Sequence, residues 1–135
     1  MNITVVTGHL SRPPERRTLP SGEEVVSYDL RVVGADDRAE SVPVAWLSAP
    51  PSASGLEVGE ALLVVGRVRR RFFHAGGSIQ SRTEVVASAV VPLRHRAAVR
   101  RLLAQASVGL DDILTTPPER RARRVERAAQ VADAS

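Results

Sequence analysis

The feature that most constrains the fold of this chain is a long stretch of alternating side chains at residues 61–73. Its first half is apolar on both sides, which is typical of a strand inside a sheet, whereas its second half is amphipathic, with Arg67, Arg69 and Arg71 on one side. Gly76 and Gly77 follow, and a glycine pair between two such runs indicates a tight hairpin turn. We therefore predict a strand that leaves the body of the protein near Arg69 and projects as half of a hairpin arm.

The rest of the first 93 residues also has the pattern of β-strands. Val26, Tyr28 and Leu30 alternate with polar residues, as in a strand that buries one face. Pro13 and Pro14 end the first run, because proline cannot donate a hydrogen bond to a sheet. The loop at residues 52–59 has room for one helical turn. The predicted strands cover residues 1–10, 26–32, 41–47, 61–73 and 79–92.

The periodicity becomes helical after Leu93. The apolar positions of this first helix are Val99, Leu102, Leu103, Ala106 and Leu110. Thr116 and Glu119 then form a capping box, which predicts a second helix with only a thin apolar stripe. We predict a barrel domain at residues 1–93 and a basic, helical or partly disordered extension at residues 94–135.

The composition is that of one ordinary globular domain: 135 residues, 43% of them hydrophobic and 25% charged. The chain has no cysteine, which excludes disulfides, thiolate zinc sites and cysteine nucleophiles. Its three histidines are scattered and no Gly-x-Ser-x-Gly motif occurs, so we predict no metal, no cofactor and no enzymatic activity. Without a long apolar run or a signal-peptide pattern, we expect a cytoplasmic protein and no membrane partner.

The positive charge of the chain is concentrated at its C-terminal end. Residues 1–93 carry ten arginines against ten acidic residues, whereas residues 94–135 carry nine against five. The whole surplus of +4 therefore lies in the extension, and it favours an anionic partner.

The number and spacing of the strands predict the fold. Five short strands, a long arm between the last two and a loop between the third and fourth are typical of an all-β, five-stranded Greek-key barrel of the OB type. A C-terminal α-helical extension completes the predicted architecture.

Motifs along residues 2–93 resemble those of the bacterial single-stranded DNA-binding protein family, in the same order and spacing. The matching segments are Gly8-His9-Leu10, Arg12-Pro13-Pro14-Glu15-Arg16-Arg17, Pro20-Ser21-Gly22, Val26-Ser27-Tyr28-Asp29-Leu30, Val42-Pro43-Val44-Ala45-Trp46, Val58-Gly59-Glu60, Val64-Val65-Gly66-Arg67-Val68, Arg69-Arg70-Arg71-Phe72-Phe73 and Thr83-Glu84-Val85-Val86-Ala87.

The resemblance implies a protein that binds single-stranded DNA without catalysis, in replication, recombination or repair. It also implies self-association as a homodimer or homotetramer and association with the nucleoid. Bases of any sequence can stack on an aromatic ring, while a positive groove follows the phosphates. Such a platform does not distinguish RNA from DNA, so RNA stays open as a partner.

The resemblance also implies which residues bind DNA. The stacking rings are Trp46 and Phe73. The phosphate-binding arginines are Arg67, Arg69 and Arg71, which share a side of the strand with Phe73, together with Arg31 and Arg82.

Each of these assignments has a structural alternative. Trp46 shares its parity with Val42 and Val44, so it is equally suited to the core. Phe73 is also suited to a contact between subunits. The arginine run at residues 69–71 is also what a solvated sheet edge would carry.

Three departures from the family pattern favour a specialised paralogue. Two positions where the family usually has aromatic rings hold Val32-Val33-Gly34 and Ala39-Glu40-Ser41, and the chain ends in Asp133-Ala134-Ser135 where the family has an acidic tip. A basic segment stands in place of that tip, and it suits a solvated helix face, nucleic acid or replication and recombination proteins. The alternative function is therefore a barrel that binds protein partners and has little affinity for DNA.

Overall fold

Residues 1–115 fold into a closed β-barrel with one helix packed on its outside. A computed structural model of the protein describes residues 1–115. The elements are β1 (Thr4–Leu10), β2 (Glu15–Thr18), β3 (Glu24–Val33), β4 (Ala39–Leu47), a 3₁₀ turn (Pro51–Gly55), β5 (Ala61–Ala75), β6 (Ser78–Pro92) and α1 (Arg96–Thr115).

The strand order confirms the predicted five-stranded OB barrel. The strands follow one another as β1-β5-β6-β4-β3, and β1 pairs again with β3 at His9 and Leu10, which closes the barrel. β4 and β6 run parallel, and the other neighbours are antiparallel. The arrangement brings the base of the β5–β6 hairpin beside β3 and β4.

The barrel interior holds the alternating apolar residues that the sequence predicted. Val26, Leu30, Leu62 and Val64 are completely buried there. The Tyr28 hydroxyl donates a 2.7 Å hydrogen bond to the carbonyl of Ala53, which holds the 3₁₀ turn across one end of the barrel. Burial raises the pKa of the Tyr28 phenol, so this hydroxyl keeps its proton and remains a donor.

A short strand follows the prolines that were predicted to end the first run. β2 pairs with the outer edge of β3, from Glu15 opposite Ser27 to Thr18 opposite Glu24. The prolines interrupt the ladder, but the free edge of β3 lets pairing resume. Because β2 is an exposed edge strand, its side chains are polar and lack the apolar alternation that identifies a half-buried strand.

A bulge in β6 separates the barrel from the arm. Val65 lies opposite Ala89, whereas the next residue of β5, Gly66, lies opposite Ala87, so Ser88 is an extra residue. The Ser88 hydroxyl donates a 2.9 Å hydrogen bond to the Val65 carbonyl. The bulge shifts the inward-facing parity of β6, which a strict two-residue period in the sequence does not reveal.

The predicted hairpin arm is confirmed, and it leaves the barrel slightly earlier than the sequence indicated. β1 pairs with β5 only as far as Gly66, and β4 pairs with β6 only at Val85 and Val86. Beyond these residues, the arm strands pair only with each other, as far as Ala75 opposite Ser78. Gly76 and Gly77 have φ angles of 58° and 80°, as a two-residue type I′ turn requires.

Helix α1 packs on the outer face of β5 and β6. Leu102 is buried against Leu63 and Val65, with Val99 and Ala106 alongside. Arg94 precedes the helix, and its Nε donates a 2.5 Å hydrogen bond to Oε1 of Glu60. This bond holds the pKa of Glu60 below its usual range.

Only part of the predicted apolar stripe of α1 is buried. Leu103 is 43% exposed and Leu110 is 50% exposed, because the barrel covers a narrower arc of the helix than its apolar residues span. No helix among residues 1–115 is long and apolar enough to cross a membrane. The predicted second helix from Thr116 lies outside the described residues, and the domain boundary at residue 93 stays a prediction.

Candidate nucleic-acid interface

One face of the arm carries the arginines that the sequence singled out. Arg69, Arg71 and Phe73 alternate along β5 and therefore point to the same side. Arg82 of β6 lies directly opposite Arg71, which places two guanidinium groups side by side across the ladder. We call this side, with Glu84 opposite Arg69, the arginine face of the arm. Phe73 lies near its tip and is partly buried.

A buried carboxylate balances Arg69. Oε1 of Glu84 accepts hydrogen bonds from Nε of Arg69 at 3.2 Å and from its Nη2 at 2.5 Å, and Glu84 is only 6% exposed. Burying a carboxylate without a partner is costly, so Glu84 needs the ion pair with Arg69. A ligand that binds Arg69 therefore competes with Glu84. Arg69 therefore anchors the base of the arm.

Arg71 and Arg82 are freer to bind an anion. The guanidinium group of Arg71 has no hydrogen bond or ion pair with any of residues 1–115. Nη2 of Arg82 lies 3.6 Å from Oδ1 of Asp29, whose Oδ2 is 4.0 Å from Nε of Arg12. Such long, exposed pairs contribute little stability, so a phosphate can replace the carboxylate at small cost.

Arginines from three parts of the chain meet in a groove between the arm and the sheet. The groove has a volume of about 290 Å³. Its basic residues are Arg12, Arg17, Arg71 and Arg82, and its acidic residues are Glu15, Asp29 and Glu84. Arg17 has no ion pair within the part of the chain that the structure describes. The groove is thus mixed in charge, with Arg17 and Arg71 as its unpaired cations.

Arg12, Arg17 and Asp29 belong to this groove but were not among the predicted binding residues. Arg12 stands beside the prolines, and Arg17 belongs to β2, which has no apolar alternation. Asp29 was placed only within a strand motif. The family motif at residues 12–17 was the one signal that pointed to this segment.

Trp46 lies on the core-facing side of β4. It is opposite the buried Val26, and it is partly buried against the hydrophobic core. This position matches the core alternative, while the uncovered part of the ring remains in contact with solvent.

Arg67 and Arg31 line other cavities than the arginine face does. Arg67 borders a cavity of about 380 Å³ between the sheet and α1, together with Leu102 and Gln105. Arg31 borders one of about 170 Å³ beside His9, near the closure of the barrel. The structure therefore brings together four of the predicted residues, Arg69, Arg71, Phe73 and Arg82. Arg67 has the same parity on β5 but borders a different cavity, and Arg31 and Trp46 lie on other strands.

A closed five-stranded barrel with an arginine-lined groove beside β3 and β4 defines the class of protein as an OB-fold barrel. Comparison with known structures then specifies it further. The chain is similar to the wild-type single-stranded DNA-binding protein from Thermus aquaticus, with a TM-score of 0.56 and 28% sequence identity. This likeness confirms the resemblance that the motifs indicated.

The similarity covers part of each protein. It spans 68% of this chain and 40% of the Thermus aquaticus chain, so this protein matches less than half the length of that relative. No family model matches the chain, and a comparison with curated proteins found no match. The activity and partners of the whole relative therefore come to this chain only as proposals.

Proposed function

We propose that this protein binds single-stranded DNA without sequence preference and without catalysis, through the groove and the arginine face of the arm. The observation that carries the proposal is the convergence of Arg12, Arg17, Arg71 and Arg82 on one groove. This convergence occurs in a barrel similar to a single-stranded DNA-binding protein.

The groove has the chemistry that a phosphodiester backbone requires. Guanidinium groups bind phosphate oxygens through paired, charge-assisted hydrogen bonds. A strand entering the groove would pair with Arg17 and Arg71 and would displace Asp29 from Arg82. Since phosphate contacts release bound counterions, we expect binding to weaken steeply as salt rises.

Base stacking supplies the second part of the proposed affinity. Phe73 shares the arginine face, so a strand held by Arg71 and Arg82 passes beside its ring. One base stacked on an aromatic ring contributes about 1–3 kcal/mol regardless of its identity. The depleted set of rings makes arginine contacts a larger share of the total.

We propose that the protein acts in replication, recombination or repair, as a homodimer or homotetramer associated with the nucleoid in the cytoplasm. Residues 94–135 would supply contacts to replication or recombination proteins. DNA is proposed over RNA because the similar solved protein is named for DNA, and parallel titrations with oligo-dT and oligo-U compare the two directly.

The test removes the two adjacent arginines and leaves the buried ion pair intact. We expect R71A/R82A to reduce the dependence of log affinity on log salt by about 1.4, as measured by anisotropy of labelled oligo-dT, because each phosphate contact to a single strand contributes about 0.7. The matched control is R38A/R100A, which removes two exposed arginines outside the groove. Equal affinity and an equal salt slope for the parent and R71A/R82A would refute the proposed face.

The exposed stripe on α1 favours a second candidate function, a barrel that binds protein partners with little affinity for DNA. Leu103, Leu110 and Leu114 are 43%, 50% and 82% exposed. This candidate predicts that the folded parent gives no anisotropy change with oligo-dT even at low salt. Tight binding by the parent, unchanged in a variant with serine at all three leucines, would contradict it.

A further inference from the structure

The opposite face of the arm also exposes an aromatic ring. Phe72 is 66% exposed and is the most accessible of the three phenylalanine and tryptophan side chains. It lies opposite Ser81, while Arg70 lies opposite Thr83 and His74 lies opposite Ile79. We call this side of the ribbon, which includes Val68, the Phe72 face of the arm.

The two faces of the arm repeat the same spacing of cation and ring. Arg71 and Phe73 are two residues apart on the arginine face, and Arg70 and Phe72 are two residues apart on the other. Residues two apart on a strand are neighbours on one face. Each face therefore presents a guanidinium group next to an aromatic ring, which is the pair of groups that a nucleotide unit requires.

The charge of the Phe72 face suits a polyanion. None of its side chains carries a carboxylate, whereas the arginine face includes the buried Glu84. Arg70 has no ion pair with any of residues 1–115. The hydroxyl groups of Ser81 and Thr83 lie across the ladder from Phe72 and Arg70, and hydroxyls are ordinary donors to phosphate oxygens.

We propose that Phe72 forms a second base-stacking site, so that one single strand of DNA contacts both faces of the arm. Its ligand is a nucleobase of any identity, with Arg70 on the adjoining phosphate. This inference rests on the proposed DNA-binding function and extends it to residues on the far side of the ribbon. Since the barrel already has fewer stacking rings than the sequence resemblance implies, Phe72 replaces part of that loss.

A second copy of this chain is the competing occupant of the Phe72 face. Ile79 is 69% exposed and Val68 is 44% exposed, so the face also has apolar area. A protein partner would have to cover Arg70 with an acidic group, whereas phosphate supplies that charge in every nucleotide. The charge complementarity therefore favours nucleic acid.

Substitutions at position 72 test whether binding depends on the aromatic ring of Phe72 or only on its apolar area. We expect Phe72→Leu to weaken binding of an oligo-dT of about 16 nucleotides, the upper site size of one OB fold, by about fivefold. Phe72→Tyr keeps the ring and should bind within about twofold of the parent. Val58→Ala, at an apolar position outside the arm that is 55% exposed, serves as the control and should not change affinity.

Photocrosslinking and light scattering distinguish a base-stacking site at Phe72 from a subunit contact. An iodouracil-substituted oligonucleotide, irradiated and mapped by mass spectrometry, should crosslink to Phe72 as well as to the arginine face. Crosslinks confined to the arginine face, or a Phe72→Leu variant that binds like the parent, would overturn the proposal. A loss of molar mass in Phe72→Leu without DNA, measured by light scattering, would instead assign the ring to a subunit contact.

The two proposals fail in different ways. If the arginine face does not bind DNA, R71A/R82A has the same affinity for oligo-dT as the parent, whether or not Phe72→Leu changes that affinity. If only the Phe72 stacking site is absent, R71A/R82A loses affinity while Phe72→Leu does not.

Discussion

The two halves of β5 follow the same two-residue period but serve different purposes. In residues 61–66, side chains on both faces are covered, and Leu62 and Val64 are completely buried in the barrel. In residues 67–75, the same strand carries arginines and phenylalanines, and Phe72 is 66% exposed. The difference shows that alternation alone specifies a strand, whereas the residue types at alternate positions specify whether it holds the fold or meets a ligand.

The neighbours of each half explain the division. The barrel half pairs with β1 on one side and β6 on the other, whereas the arm half pairs with β6 alone. A two-stranded ribbon without a packed face has little stability of its own. We therefore expect changes in the barrel half to alter the free energy of unfolding and changes in the arm to alter affinity.

The largest expected effect contrasts Leu62 with Phe72. Leu62→Ala removes a completely buried side chain and should lower the free energy of unfolding by about 2–5 kcal/mol. Phe72→Ala should change it by less than about 0.5 kcal/mol, since the ring is mostly exposed. Denaturant titration of both variants measures this, and similar losses in the two would remove the distinction between the halves.

Gly66 tests the junction between barrel and arm. A Cβ atom there would lie 2.8 Å from the carbonyl carbon of Val86 and 2.9 Å from Cα of Ala87, so the backbone at the bulge would have to move. We expect Gly66→Ala to cost about 1–3 kcal/mol in unfolding free energy.

Gly55 provides the control for this substitution. A Cβ atom at Gly55 meets nothing within 4 Å, so Gly55→Ala should leave stability almost unchanged in the same denaturant titration. If both variants unfold at the denaturant concentration of the parent, close contact at the bulge does not limit position 66.

Removing the negative charge of Asp29 from the groove should strengthen the binding of DNA. Asp29→Asn releases Arg82 and Arg12 from their long ion pairs, so oligo-dT should bind about two to five times more tightly at low salt. The gain should shrink as salt screens the groove, and anisotropy at several salt concentrations follows it.

A carboxylate outside the groove supplies the comparison for Asp29. Asp36→Asn neutralises an exposed residue whose carboxylate lies 3.9 Å from Nε of Arg38 and accepts a 3.2 Å hydrogen bond from its backbone N–H, and it should not change affinity. Weaker binding by Asp29→Asn would show that Asp29 positions the arginines more than it competes with DNA.

The smallest expected effect concerns pH and the barrel. The hydrogen bond from Arg94 lowers the pKa of Glu60 below its ordinary value of 4.5, so the ionised carboxylate stabilises the folded state. This contribution is present above the ordinary pKa and is lost as pH falls through the lower folded value.

Thermal unfolding at several pH values checks this effect. The parent should lose Tm more steeply than Glu60→Gln as pH falls below about 5, and the two curves should converge in stronger acid. A constant gap between them over this range would exclude a contribution from Glu60 ionisation.

The main strands were predictable because burial of one or both faces of a strand requires apolar residues at regular positions in the local sequence. The alternation of Val26, Tyr28 and Leu30 identified β3, and the glycine pair located the arm turn. β2 escaped detection because an exposed edge strand has no apolar period. The bulge at Ser88 was not predicted, because a single extra residue changes which side chains of β6 face inward without changing the composition of the strand.

The candidate site was predictable only in part, since its pairings depend on sheet register. Residues 69–73 stood out as a run of arginines next to aromatic rings. The link between Arg69 and Glu84, and that between Arg82 and Asp29, join residues that are distant in sequence. Local sequence patterns contain no information on such contacts, so only the folded structure identifies the acidic residues of the groove.

The self-contained pairing of the arm frees its length to vary in evolution. Each residue pair added beside the Gly76-Gly77 turn would extend the ribbon by about 3.4 Å without altering the barrel. Successive added pairs would fall on alternate faces, so one insertion would enrich the arginine face and the next would enrich the Phe72 face. Relatives with longer or shorter arms would therefore differ in how much nucleic acid they reach while keeping the same stability of the core.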